Sequence, residues 1–447
     1  MNQIKSLENR IRMQIFLLSV LIITFCSKNS FLYAFNDGYD INVYKTIGRG
    51  IWRGLLPYKD LYDHKGPYVY IPSVFEAKIP YSIYIIEIIS CFFALYYASK
   101  ILKKYNEYKF LNLIIFGSIV YFSAAFSHGG SVVEEFFLPI ELHTIYIGLK
   151  NDFVLNKKDA FIIGILSGII FWSKYSLVGF FIGWCLYPFY ITQKETKETL
   201  KCIGYIILGV LVTTIPVIFV FHSALYDLFQ VYFIDNIFYY PSTKGNNLII
   251  NVIFGYGMCS FFSIVMGILS IIGIAKRHSF YYISIFIVMA IMIFGAGNHY
   301  RYYIFPFAIF VLFAVGWIKY KIILLTVAVV CIITAPNLEF INMDLEDTPQ
   351  YKFAQIINQK ENPTIINYGF IDGGFYLVSG VEPVTKYFCH LNLNNGNNEL
   401  SKMVTDGDFD FVITEKELSL PKYHLVSQAD KKFEYWNYTY CLYEKND

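Results

Sequence analysis

Charge is what this sequence has least of. Asp, Glu, Lys and Arg make up 16% of its 447 residues, against about 25% in soluble domains. Hydrophobic residues reach 56% and the mean hydropathy is +0.45. A soluble globule so composed could not cover its own surface, which excludes a cytosolic enzyme and a disordered scaffold. A charge excess of either sign is also missing. The net charge is +2, so the balance carries no nucleic-acid signal. There is no CxxC, no HExxH and no metal-ligand cluster. No internal repeat of the inverted-repeat transporter kind is visible. Eight cysteines are too few for a secreted disulfide framework. Cys26, Cys91, Cys185, Cys202, Cys259 and Cys331 lie in or at apolar runs and read as packing residues. Only Cys389 and Cys441 share the C-terminal part, and spacing leaves their pairing open.

What is present is a series of long apolar runs. A membrane span needs about 20 mostly apolar residues. Runs of that kind are read at 13–35, 81–99, 109–127, 135–149, 159–174, 175–192, 202–221, 250–275, 280–296, 302–318 and 320–336. The fold class expected is therefore an all-α polytopic membrane protein of about eleven transmembrane helices. Lys and Arg fall on alternate short loops: Lys5, Arg10 and Arg12; Lys100 to Lys109; Lys150, Lys157 and Lys158; Lys194, Lys197 and Lys201; Lys276 and Arg277; Lys319 and Lys321. The positive-inside rule then puts the N-terminus in the cytoplasm and the C-terminus outside. The start resembles a signal peptide, but no small-x-small cleavage site follows, so a retained first span is expected.

Two parts stand outside the runs. The domain reading is a transmembrane module over 1–336, with a first outer loop at 36–80, and a C-terminal extracytoplasmic α/β domain over 337–447. In the tail "PTIINYGF", "FDFVITEK" and "YTYCLYEK" read as strands and 348–360 as a short helix. "DGDFD" at 406–410 contains a DxD triplet and begins like a calcium loop. The sixth position is Phe411 where that loop requires Gly, so a turn into a strand is expected there and no metal site.

Ionisable residues beside a membrane core are costly, so their placement informs. They gather on the loops expected outside: Asp37, Asp40, Asp60, Asp63, His64, Lys65; His128, Glu134, Glu135; Asp235, Asn236; Asn298, His299, Tyr300, Arg301. Loops on one face can build one site. Each feature also has a plain reading. Asp40 can be a solvated loop acid, and Glu134-Glu135 can mark a helix N-terminus. "YDHKGP" can be a turn, and His299 and Arg301 can be interfacial anchors. Lys174, near a span end, reads as snorkelling to the interface.

The loop "GYDINVYKTIGRGIWRGLLPYKDLYDHKGPYVY" (38–70) resembles the first outer loop of the GT-C membrane glycosyltransferases. These include the bacterial relatives of the protein O-mannosyltransferases and of the lipid A aminoarabinose transferase. Asp40 takes the place of the family's acid after span one, Tyr44 that of the following aromatic, and "PYKDLYDHKGP" that of the rest. "EEFFLP" (134–139) resembles the second acidic loop, "GNHYRYYIFPF" (297–307) the late "HY…P" segment, and "FWSKYSLV" a span that often carries a Lys. The chain departs from the pattern in having Ile41 after Asp40 and "HKGP" in place of "KPP".

The resemblance implies a GT-C-like fold and a polyprenyl-phosphate-linked sugar donor. It implies a glycan, lipid or protein hydroxyl as acceptor at the outer face of a bacterial inner membrane. Membrane lipid is the other implied partner; nucleic acid is not one. The catalytic group implied is Asp40 as general base with Glu134 and Glu135 orienting. Lys65, His299 and Arg301 would hold the donor phosphate, and Tyr44, Tyr58, Asp60, Asp63 and His64 would contact substrate. No cofactor is implied, and a divalent metal is not required if cations balance the phosphate. Three rival readings remain: a lipid-linked-glycan flippase, a polymerase of lipid-diphosphate repeat units, and a non-catalytic envelope scaffold.

Overall fold

The computed structural model describes every residue except 1, 124, 125, 127, 128, 193–195, 240–246, 392, 394, 395, 434, 435 and 447. His128 and Lys194 thus lie outside the described residues. The helices in chain order are α1 (Asn2–Cys26), α2 (Tyr39–Trp52), α3 (Ile71–Glu76), α4 (Ser82–Lys104), α5 (Phe110–Tyr121), α6 (Val133–Lys150), α7 (Lys157–Phe171), α8 (Gly179–Thr192) and α9 (Thr196–Val220). They continue with α10 (Leu225–Phe229), α11 (Leu248–Phe262), α12 (Ile264–Lys276), α13 (Phe280–Phe294), α14 (Ala308–Trp317), α15 (Lys321–Ile333), α16 (Pro349–Ile357), α17 (Phe375–Ser379) and α18 (Asn397–Asp406). The strands are β1 (Ile365–Asn367), β2 (Phe411–Thr414), β3 (Tyr423–Phe433) and β4 (Trp436–Lys445).

These elements form two compact units. One comprises Met1–Ser30, Tyr84–Val217 and Ser242–Leu338; the other comprises Phe31–Ile83, Ile218–Pro241 and Glu339–Asp447. The first is helical. Among the described residues four stretches are long and apolar enough to cross a membrane: Glu8–Cys26, Ser82–Lys104, Lys197–Val220 and Lys321–Phe340. Shorter apolar helices, such as Phe110–Tyr121 and Phe280–Phe294, fall on other runs read as spans. The run at 250–275 is not one helix. It leaves helical geometry at Ser263 (φ −130°, ψ 60°) and restarts as α12, whose Gly267 packs onto Ser260 of α11. Small residues bring backbones together here, as membrane helices require. Gly164 and Gly209 seat α7 against α9, and Gly273 seats α12 against the Phe310 backbone of α14.

The second unit joins the loop between α1 and α4 to the tail. Its sheet runs β1-β2-β4-β3, with β1 parallel to β2 and the other pairs antiparallel. Thr348 caps α16 by accepting from the Tyr351 amide, with Pro349 at the first helical position. Leu400 and Val404 of α18 pack on Ile366, Val412, Cys441 and Tyr443 of the sheet. The strands expected from "PTIINYGF", "FDFVITEK" and "YTYCLYEK" form, as does the helix within 348–360. "DGDFD" is a helix end and strand start: Gly407 caps α18 at φ +75°, and Asp410 accepts from Thr364 and pairs with Lys360 at 2.7 Å. Cys389 and Cys441 are both buried free thiols.

Candidate functional site

The residues singled out in the sequence divide between the two units. In the loop-and-tail unit, Asp40 occupies the first turn of α2, where a carboxylate meets the positive end of the helix dipole. It is half-buried, and its carboxylate makes no hydrogen bond or ion pair among the described residues. α2 is fastened along its length to the tail. Lys431 of β3 pairs with Asp37 Oδ2 at 3.0 Å and also donates to the Asp37 carbonyl. The Tyr39 hydroxyl donates to Glu415 and lies 3.0 Å from the Tyr440 hydroxyl. Thr46 donates to Asp372 at 2.6 Å. Arg49 donates to the carbonyls of Tyr376 and Gly380 and pairs with Glu382. Burial pushes the Asp372 carboxyl above the ordinary carboxylate range, against the pull of Thr46, the Gly374 amide and Asn367.

The motif "PYKDLYDHKGP" folds into a turn whose polar groups point inward. Tyr58 is fully buried with φ at 72°, a conformation rarely held by a bulky residue outside functional or strained turns. Its hydroxyl donates to the Lys65 carbonyl at 2.7 Å. Asp60 accepts from the Leu56 amide and closes the turn. Asp63 is buried, accepting from the His64 amide at 2.8 Å and from the Tyr70 hydroxyl at 2.9 Å. Lys65 Nζ lies 3.0 Å from His64 Nε2. A lysine ammonium can only donate, so Nε2 accepts and the imidazole proton sits on Nδ1, 3.5 Å from Asp63 Oδ1. The order is thus ammonium, imidazole, carboxylate. Burial raises the Asp63 carboxyl; Lys65 and Tyr70 oppose this, and the nearby Asp40 charge adds to it. The Tyr44 ring packs edge-on to Tyr70, with centroids 6.0 Å apart. Asp235 and Asn236 join the same cluster. Tyr62 donates to Asp235 at 2.7 Å, and Asn236 donates to the His64 carbonyl at 2.7 Å.

In the helical unit, Glu134 and Glu135 open α6 and are both buried. They face different partners. Glu134 Oε1 takes Lys174 Nζ at 2.5 Å, and that ammonium also lies over the Tyr303 ring at 4.1 Å and the Tyr302 ring at 5.2 Å. Lys174 therefore does not snorkel: a buried carboxylate and two ring faces hold it more favourably than the interface would. Glu135 Oε2 accepts from the Ser131 amide, and Ser131 Oγ donates to Glu87 Oε1 at 2.8 Å. Ser27 and Asn29 also donate to Glu87. The turn around this pair, Gly129-Gly130-Ser131, has positive φ throughout. A side chain on Gly130 would collide with the Glu87 carboxylate, so only glycine fits there. His299 bonds within its own turn, Nδ1 lying 3.2 Å from the Gly297 carbonyl, and packs edge-on to Phe254. The Arg301 guanidinium lies over Phe262 at 6.0 Å.

Sequence reasoning did not single out Glu87 or the Asp37–Lys431 pair. Glu87 had a findable signal, a lone acid inside the apolar run "YIIEIIS". Lys431 had none, since its partner is 394 positions away.

This layout, apolar helices and a small sheet joined to the first loop, has a counterpart among solved structures. No protein-family model and no curated protein matches the chain by sequence. Among solved structures, the crystal structure of ArnT from Cupriavidus metallidurans bound to undecaprenyl phosphate matches with a TM-score of 0.61 over 96% of this chain and 97% of that one. Identity is 11%, so the likeness is one of fold.

Proposed function

We propose that this chain is an integral membrane glycosyltransferase of the GT-C type, moving a sugar from a polyprenyl-phosphate donor to a cell-envelope hydroxyl. The observation that carries this reading is the pairing of an unengaged Asp40 at the start of α2 with the Asp63–His64–Lys65 cluster, on a chain-long fold shared with a protein solved with undecaprenyl phosphate. The reading includes about eleven spans, a cytoplasmic N-terminus, and a C-terminal domain outside a bacterial inner membrane.

The acceptor hydroxyl attacks the anomeric carbon of the donor. As the new C–O bond forms, the bond from that carbon to the phosphate oxygen breaks. The acceptor proton passes to Asp40, and the electron pair leaves with the polyprenyl phosphate. Direct displacement inverts the anomeric centre. Lys65 balances the departing phosphate, a role that preorganised cations perform well in a water-poor site. Arg301 and His299, in the helical unit, keep the phosphate-binding role that the sequence pattern implies for them. Glu134 and Glu135, both engaged, orient rather than accept a proton. Tyr44, Tyr58, Asp60, Asp63 and His64 shape the loop that meets substrate. With the phosphate balanced by side chains, no metal is needed.

The test uses the full chain in lipid nanodiscs, supplied with polyprenyl-monophosphate sugars and membrane-extracted acceptors, with donor loss followed by mass spectrometry. Turnover by wild type and none by Asp40→Asn supports the reading. Turnover of diphosphate-linked oligosaccharides alone would replace it with the polymerase. Lys65→Ala should raise the donor concentration needed for half-maximal rate; an unchanged dependence removes Lys65 from the phosphate site.

A further inference from the structure

A cavity of about 110 Å³ lies wholly within the loop-and-tail unit. A cavity of about 150 Å³ accepts a benzene ring, so this one has room for most of a single six-membered ring, the rest projecting from its mouth. One part of its wall is apolar: Phe35, Phe340 and Met343. The other part is charged: Asp37, Asp347, Asp430 and Lys431. Lys431 is 7% exposed and its ammonium is already paired with Asp37. The ion pair takes up Lys431 and Asp37 alike, so what the wall offers a ligand is chiefly the carboxylates of Asp347 and Asp430, acceptors of hydrogen bonds, beside Thr348 and Gln350.

A sugar ring fits such a lining. It has an apolar face of C–H bonds for the aromatic side, and hydroxyls that donate to carboxylates. Excess negative charge in the wall also selects. Neutral sugars and amino sugars are favoured, while uronic acids and phosphosugars meet like charge. Position adds to composition. Asp37 lines the cavity, and Asp40 follows three positions later, so their Cα atoms lie within about 11 Å of each other by chain reach.

We propose that this cavity is a carbohydrate subsite on the acceptor side, taking one ring of a neutral or amino sugar, which makes the acceptor a glycan rather than a protein side chain. The subsite rests on the transferase reading only for its role, because binding itself can be measured without turnover. A ring seated there would be held by the same segment that carries the base. Binding of one ring is weak, in the millimolar range typical of a small contact, about −4 kcal/mol.

The experiment is saturation-transfer NMR on the full chain in nanodiscs. The probes are methyl glucoside, methyl galactoside, methyl mannoside, methyl glucosaminide and, as the anionic probe, methyl glucuronide. Wild type should give saturable transfer with at least one neutral or amino glycoside and none with the glucuronide. Met343→Trp, which fills the cavity from a half-exposed position, should abolish transfer. Asp430→Lys, at an exposed wall position, should admit the glucuronide. Absence of saturable transfer with all neutral and amino probes overturns the proposal, and so does full binding by Met343→Trp. Asp40→Asn separates the two readings. Glycoside binding retained with transfer lost supports both; transfer retained removes the base and leaves the subsite standing.

Discussion

The helical unit engages both of the paired acids that open α6, whereas the loop-and-tail unit engages its neighbouring acids and leaves Asp40 unbonded. In the helical unit Glu134 and Glu135 are buried and engaged, one by an ammonium over two tyrosine rings, the other through Ser131 to a second carboxylate, Glu87. In the loop-and-tail unit Asp40 is half-buried with no partner for its carboxylate among the described residues, while its neighbour Asp63 absorbs the local hydrogen bonds. A carboxylate whose lone pairs are taken by structure is a poor proton acceptor. One held in place by its helix and left unbonded keeps that capacity. The acids that look alike in the sequence thus separate into engaged ones and one left unbonded, and the separation is made by neighbours rather than by residue type.

The sharpest way to break this contrast is to neutralise the unbonded acid, the proposed base. Asp40→Asn should lower kcat by about 10²–10⁴-fold, the usual worth of a positioned general base, with membrane insertion unchanged. Near-normal turnover would return Asp40 to the solvated loop acids. Next in size is an engaged acid. Lys174→Met leaves Glu134 buried and uncompensated, which should cost about 3–5 kcal/mol in detergent unfolding. The double variant Lys174→Met/Glu134→Gln should recover most of that loss; equal losses in single and double variants would mean the pair is not coupled. Smaller is Tyr70→Phe, which removes a donor from buried Asp63 and should cost about 1.5–3 kcal/mol. Faster hydrogen exchange across residues 57–66 is its signature, and unaltered exchange would show that the loop does not depend on this bond.

The smallest effect concerns pH. Burial raises the Asp372 carboxyl in the folded chain. A raised folded pKa means the folded state holds the proton more tightly, so the stability contributed is complete below the unfolded pKa and is lost as pH rises through the folded one. Asp372→Asn cannot titrate. The thermal midpoint of wild type relative to this variant should therefore fall as pH is raised from acid towards neutral. A margin that grows in favour of wild type with pH would contradict the burial assigned to Asp372.

Much of the fold was legible because apolar runs and alternating strands are local patterns. The strands at "PTIINYGF", "FDFVITEK" and "YTYCLYEK" announced themselves by β-branched and aromatic content. β3 did not, since "YHLVSQADKKF" is polar along most of its length and lies at the sheet edge, where burial imposes little pattern. The break at Ser263 was hidden because neither Gly nor Pro marks it. In the candidate site, the loop 38–70 was readable as a motif. Its attachment to the tail was not, because Thr46–Asp372 and Asp37–Lys431 join residues 326 and 394 positions apart. Lys174 had a plain reading that composition alone could not overturn; only the placement of Glu134, Tyr302 and Tyr303 did.

The fastening of α2 to the tail sets an order of events during synthesis. The loop bearing Asp40 leaves the ribosome first, and Asp372 and Lys431 follow 326 and 394 positions behind the residues they hold. At about 5–20 residues per second, roughly 20–70 s separate the loop from the strands that complete its unit. During that interval Asp40 sits on an unanchored segment. A chain ended early by a premature stop would leave that segment without its anchors however well its spans had packed. The anchoring of the first loop is thus a late step, decided by residues made hundreds of positions after it.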